Sequence, residues 1–276
     1  MGGTGPSGRV DFASFAGVLL AAGGILGGLL LEGGRIQDVR QVTAALIVFG
    51  GTLGAVMLHT PPSTLVRALK CLPRVFYAVD RPRDTILDDI IGYATKARKM
   101  GLVSLETIAD NIEDPFLSKA LTLAVDGTDL QELRQTMELD IALEERRAEA
   151  DARVYESAGG YAPTIGIIGA VMGLIQVMKN LANIDEVGHG IAVAFVATVY
   201  GVASANLFFL PAAGKIKARA AHEAERKEMM LEGVCSIVEG LNPKIIRTKL
   251  EGYLGTKAKN RTLAPERQRA ARGAAA

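Results

Sequence analysis

Two stretches of this chain, Ser157 to Met178 and Gly190 to Gly214, contain no Asp, Glu, Lys or Arg. A helix crossing a bilayer needs about 20 apolar residues, so each run is long enough to span one. Only the short polar stretch 179–189 separates them. Pro163 lies near the start of the first run and Pro211 near the end of the second. A helix pair with prolines at matching depth shapes a passage or a hinge. With no charge at mid-membrane, it cannot by itself carry a proton.

Two more runs precede this pair. Phe12 to Leu31 is uncharged over 20 residues. That exceeds the apolar core of a cleaved signal peptide, about 7–15 residues, so the run is expected to stay as an anchor. The opening Met-Gly invites an acylation reading, but Pro6 stands where that signal needs Ser or Thr. Gln41 to Leu58 is uncharged over 18 residues, and His59-Thr60-Pro61-Pro62 ends it. Both runs carry glycines four apart: Gly23 and Gly27, Gly24 and Gly28, Gly50 and Gly54. Small residues at that spacing let helix backbones approach in lipid, so close packing is expected at these positions.

Charge and apolarity are segregated along the chain. Hydrophobic residues make up 49% and charged ones 22%, with a mean hydropathy of +0.23. The net charge of +1 gives no footing for nucleic acid. Cys71 and Cys235 form no CxxC, and His59, His189 and His222 are far apart, so neither a metal nor a cofactor is expected. No P-loop, GxSxG or HExxH occurs, and no enzymatic chemistry is predicted.

Residues 61–156 read as a helical polar segment. Ser63 to Ala78 is a helix bent by Pro73. Asp84 to Lys99 repeats apolar residues at Ile86, Ile90, Ile91 and Ala94, a helical period, and ends at Gly101. A short helix follows over Phe116 to Val125, then a break at Asp126-Gly127-Thr128. From Leu130 the periodicity runs unbroken into the third span, with an interruption expected only near Gly159-Gly160 or Pro163. Lys215 to Val238 continues the fourth span as a charged helix. The last stretch, 256–276, is basic and reads as a solvated tail.

The expected architecture is therefore an all-α membrane protein with four transmembrane helices in a two-plus-two layout, whose long helices extend into a cytoplasmic helical domain. Its segments are 1–11 (N-terminal), 12–60 (first hairpin), 61–156 (cytoplasmic helical domain), 157–214 (second hairpin) and 215–276 (C-terminal helix and tail). Of the 31 lysines and arginines, 27 fall within 61–156 and 214–276. Basic residues near span ends stay in the cytoplasm, so both large segments and both termini are expected to face inward.

An ion pathway is usually marked by an ionisable group inside the membrane. Here the deep polar side chains of the last two spans are Thr164, Gln176, Thr198, Tyr200, Ser204 and Asn206. Hydroxyls and amides can solvate a proton but not carry it at neutral pH. Either the chain conducts nothing, or a partner supplies a carboxylate and these helices line its path.

The segments Ala162-Pro163-Thr164-Ile165-Gly166-Ile167-Ile168-Gly169 and Ala197-Thr198-Val199-Tyr200-Gly201, followed by Ala205-Asn206-Leu207-Phe208-Phe209-Leu210-Pro211, resemble the flagellar motor stator A subunit. That is the MotA/PomA type within the MotA/TolQ/ExbB superfamily. Leu31-Glu32-Gly33-Gly34 and Phe49-Gly50-Gly51-Thr52-Leu53-Gly54 resemble the first hairpin of the same family. The resemblance covers residues 12 to about 250. It implies a homo-pentamer in the bacterial inner membrane around a dimer of MotB/PomB-like B subunits, each supplying an essential aspartate. It also implies that ion flow turns the ring and that the cytoplasmic segment pushes on the rotor protein FliG. By position, Pro163 and Pro211 match the prolines tied to conformational change and ion flow. Thr198 matches the threonine facing the B-subunit aspartate, and Arg98 and Glu106 match the charged pair that engages the rotor. Ala170 stands where sodium-driven members carry a threonine. A dehydrated sodium ion needs oxygen ligands and alanine offers none, so protons are favoured over sodium. The competing reading is an energy-coupling subunit of the TolQ/ExbB kind, which has one span rather than two before the cytoplasmic segment.

Overall fold

The computed structural model describes residues 9–78 and 82–254. Among the described residues, four helices are long and apolar enough to cross a membrane: Phe12–Leu31, Ile36–His59, Leu130–Lys179 and Ile184–Val238. They are called spans 1 to 4 below, although the last two helices extend well beyond their apolar parts. The 256–276 tail expectation lies outside the described residues.

The chain divides into two compact units, one comprising 1–79 with 147–219 and the other 80–146 with 220–276. This division cuts across the linear segments read from hydropathy, because helices distant in sequence pack side by side.

The second unit is a helical bundle. Its first helix, Arg83–Met100, buries Ile86, Leu87, Ile90 and Ala94, the face set by the apolar period. It ends at Gly101, whose φ of 83° lies in the left-handed region that favours glycine. Leu105, Leu121, Leu133, Met137 and Met230 join the same core. Each fully buried aliphatic side chain contributes about 1.5–3 kcal/mol relative to exposure. Gly233 admits the helix Leu210–Val238 to this core. A Cβ there would lie 2.7 Å from Ile90 Cγ2.

Asp114 has two tasks in this unit. Its Oδ1 accepts from the backbone N–H of Phe116 (3.0 Å) and Leu117 (3.3 Å), capping the helix Pro115–Val125. Its Oδ2 accepts from Arg226 Nη1 at 2.8 Å, and Arg226 also pairs with Glu223. Cap and ion pair therefore tie this helix to the C-terminal one.

In the first unit the two proline-bearing helices behave differently from the sequence expectation. Leu130–Lys179 is one continuous helix with Pro163 inside it, so no break occurs at Gly159-Gly160 or Pro163. Burial of Tyr155, Ala158 and Ala162 before the proline and of Gly166 and Gly169 after it holds the turns on either side, and the loss of a single backbone bond does not end the helix. The Tyr155 hydroxyl donates to the Ala68 carbonyl at 2.8 Å. Burial pushes that phenol up to about 12, which keeps it protonated as a donor. In span 4 the backbone changes pitch before Pro211. A π turn covers Ala205–Phe209, and the N–H of Leu210 bonds to the carbonyl of Ala205, one residue further back than in an α-helix. A second π turn, Leu46–Gly50, interrupts span 2.

The glycines of the first hairpin are a correction. A Cβ at Gly23, Gly24, Gly27, Gly28, Gly50 or Gly54 would meet nothing within 4 Å. Close packing expected at these spacings is absent within the chain, and no residue of span 1 is buried.

Asp114→Ala is expected to lower the stability of the second unit by about 2–3 kcal/mol, from a lost cap and an Arg226 left with one partner fewer. Thermal melting of the purified protein, compared with Asp140→Ala at an exposed pair, checks it.

Candidate functional site

The tight part of the molecule lies between spans 3 and 4. A Cβ on Gly201 would sit 2.5 Å from the Ala162 carbonyl oxygen. One on Gly166 would sit 2.9 Å from the Ala197 oxygen, and one on Gly173 2.7 Å from the Gly190 oxygen. The partners run in opposite order: 162 and 166 against 201 and 197, then 173 against 194 and 190. The two helices are thus antiparallel with backbone against backbone, and small residues alone fit the seam. Span 2 closes over the middle of it. Ile47 approaches Gly169, Ile165 approaches Gly51, and Ala44, Val48, Val196 and Ala197 form a buried cluster.

This seam has a chemical consequence. No side chain and no water column fits between the two backbones along it. An ion cannot pass between spans 3 and 4 of one chain and must use an outer face of the pair.

The predicted residues fall into two groups. Pro163, Ala170, Thr198 and Pro211 all belong to the first unit, where Pro163, Ala170 and Thr198 are half-buried and Pro211 is exposed. The Thr198 hydroxyl donates to the Ala194 carbonyl of its own helix at 3.2 Å. Its oxygen keeps lone pairs free for another donor. Arg98 and Glu106 belong to the second unit, on either side of the Gly101 turn. Both are exposed, and no ion pair joins them among the described residues.

The turn before Pro163 packs on the turn before Pro211. Proline lacks an N–H, so Pro163 leaves the carbonyl of Gly159, four residues back, without its usual helical donor. Gly159 packs on the π turn preceding Pro211: a Cβ there would meet Leu210 Cδ2 at 2.6 Å and Phe209 Cβ at 3.6 Å. The weakened turns of the two helices therefore rest on each other, just beyond the glycine seam. Around the π turn, side chains take up backbone carbonyls. Asn206 Nδ2 donates to the Val202 oxygen at 2.9 Å and Ser204 Oγ to the Gly201 oxygen at 3.2 Å.

Sequence reasoning missed Tyr200 as a fastener. Its hydroxyl donates to the Val39 carbonyl at 2.5 Å and accepts from the Gln41 N–H at 3.4 Å, while its ring stacks on Phe49 at 6.0 Å. It ties the turn between spans 1 and 2 to span 4, two residues from Thr198. The seam itself was findable. Gly166, Gly169 and Gly173 against Gly190, Ala194, Ala197 and Gly201 carry the same small-residue spacing that drew attention to the first hairpin.

Comparison with known proteins gives a consistent result. Residues 108–229 match the MotA/TolQ/ExbB proton channel family, and residues 15–100 match the motility protein A N-terminal family. Motility protein A of Bacillus subtilis (strain 168) is 34% identical over 90% of this chain and 92% of its own length. Chemotaxis protein PomA of Vibrio alginolyticus is 32% identical over 89% and 96%. Among solved structures, the flagellar MotAB stator complex from Bacillus subtilis superposes with a TM-score of 0.86 at 33% identity, covering 91% of this chain and 99% of that one. The C. jejuni MotAB structure gives 0.85 at 32% identity, covering 89% and 96%.

Gly173→Val is expected to force the seam apart and cost about 1–3 kcal/mol or more by overpacking, whereas Gly54→Val, with open space around it, leaves the fold of the chain intact. Melting temperatures of the two variants in detergent check the contrast.

Proposed function

Because this chain belongs to the motility protein A family and is a stator subunit of the flagellar motor type, we propose that an outer face of its span 3–span 4 pair lines an ion path completed by another chain. The observation that carries this is the seam. It excludes passage within the pair, and the apolar parts of the pair, Ser157 to Met178 and Gly190 to Gly214, contain no Asp, Glu, Lys or Arg. A carboxylate must then come from a partner, and a MotB/PomB-like B subunit with an intramembrane aspartate fits that need. The solved relatives are MotAB complexes, which supports such a partner here.

In this reading Thr198 offers a hydroxyl beside the carboxylate, and Ala170 leaves the opposite wall without oxygen ligands, which favours protons over sodium. Pro163 and Pro211 supply the loosened turns about which the pair tilts as the carboxylate gains and loses its proton. Five copies around a B dimer, in the inner membrane with both termini in the cytoplasm, complete the ring. Arg98 and Glu106, exposed on the second unit, meet the rotor protein FliG. The work is conduction and mechanical coupling rather than covalent catalysis. The match of residues 15–100 to the motility protein A N-terminal family covers the first hairpin, and this favours the stator over a TolQ/ExbB-type coupling role.

Two measurements test the proposal. In a strain lacking its own stators, this chain expressed with its B subunit should drive swimming that a protonophore abolishes and sodium-free medium leaves unchanged. Loss of motility without sodium overturns the proton assignment. Single charge reversals at Arg98 or Glu106 should be mild, since exposed pairs are worth ~0–1 kcal/mol, and the double reversal should stop rotation at normal membrane levels. Full torque from the double variant removes these residues from the rotor contact.

A further inference from the structure

Span 1 stands apart from the other three, since none of its twenty residues is buried. Within one chain it touches the π turn Ala205–Phe209 and the helix Pro73–Phe76, and its polar attachments gather at its first turn. Asp11 caps the helix, its Oδ1 accepting from the Ser14 N–H at 3.3 Å. The other oxygen, Oδ2, lies 2.5 Å from Lys215 Nζ and 2.9 Å from Arg219 Nη2. The Asp11 N–H donates to the Phe76 carbonyl at 2.9 Å, and Arg219 Nη1 donates to the Tyr77 carbonyl at 2.7 Å. Arg9–Val10 pairs in an antiparallel ladder with Tyr77–Ala78, and the Phe15 ring lies 5.1 Å from that of Phe76.

Three chain segments therefore meet around Asp11 and its partner Arg219. They are the entry to span 1, the exit from the helices after span 2, and the helix leaving span 4. Lys215 and Arg219 are four residues apart, so they share one face of that helix, one and two turns past Pro211. The Asp11 side chain is 16% exposed. At that depth, charge-assisted bonds are screened less than those on an open surface. Hydrogen bonding to Lys215, aided by Arg219, holds the Asp11 carboxyl well below the usual carboxylate range despite burial. It stays charged at any pH the cell meets.

We infer that Asp11 is a positioning residue that clasps the base of span 1 to the helix beyond Pro211, so that span 1 follows that helix when it moves. This rests on the proposed tilting at Pro163 and Pro211. Within one chain span 1 has contacts along its length but no buried residue, and the clasp fixes at its base what those shallow contacts hold loosely. Without it, motion of the post-Pro211 helix leaves span 1 behind.

The test uses the full chain with its B subunit, in cells lacking other stators and in nanodiscs. Asp11→Asn removes the charge and keeps the size, Asp11→Glu keeps the charge, and Lys217→Gln breaks the neighbouring Lys217–Glu156 pair (2.7 Å) as a control. Asp11→Asn is expected to raise amide exchange at 12–18 by about tenfold and leave 162–201 unchanged. Torque should fall several-fold at normal membrane levels. Asp11→Glu should restore most of both readouts, and Lys217→Gln should alter neither. Full torque from Asp11→Asn, unchanged exchange at 12–18, or exchange rising equally across 162–201 would each overturn the inference, the last by showing plain loss of fold. Absence of torque from the wild-type chain would strike the functional reading instead, while the exchange comparison still decides the clasp.

Discussion

The approach of spans 3 and 4 backbone to backbone is the constraint from which the other features follow. In lipid there is no water to exclude between helices, and association depends on how closely their surfaces fit. Here Ala162, Gly166 and Gly173 meet Gly201, Ala197 and Gly190 with no space for a further methyl group. That fit holds the hairpin together as one body and leaves no room for a side chain between its two backbones. It also explains how Pro163 is tolerated within a continuous helix, since packing along the seam and at Tyr155 and Ala158 holds the turns around it.

Stiffness along the seam is matched by weakness just beyond it. Pro163 frees one carbonyl at Gly159, and the π turn Ala205–Phe209 relaxes the other helix before Pro211. These two weakened turns pack on each other through Gly159 and Leu210. A stiff hairpin pivoting on adjacent weak turns can tilt as a body with little disruption of its own contacts. Span 1, with no residue buried within the chain, is joined at its base by the polar contacts of Asp11.

Much of this was legible in the residues. Charge-free runs of sufficient length located all four spans, because desolvating a charged side chain in hydrocarbon is costly whatever the tertiary fold. The Ile86, Ile90, Ala94 period found the buried face of the first helix in the second unit. Gly101 and Gly127 marked turns, and both have positive φ. Small-residue spacing marks close contacts within the chain at Gly166, Gly173 and Gly201 but not at Gly23, Gly27, Gly50 and Gly54, since spacing says that a helix can be approached closely but not which helix approaches. Tyr200 and Asp11 were invisible for a related reason. Their partners, Val39 and Lys215, are far off in sequence, and a lone tyrosine or aspartate carries no pattern.

The sequence by itself determined that this is a helical membrane chain without an internal ion carrier, and its motifs carried the resemblance to the stator A subunit. Those properties follow from composition along the chain, which is a local matter. Only the tertiary structure decided which glycines form a seam, that the Pro163 helix stays whole, that π turns sit within spans 2 and 4, and that Asp11 gathers three segments. Each depends on the distance between backbones remote in sequence, and that distance is fixed only when the helices pack.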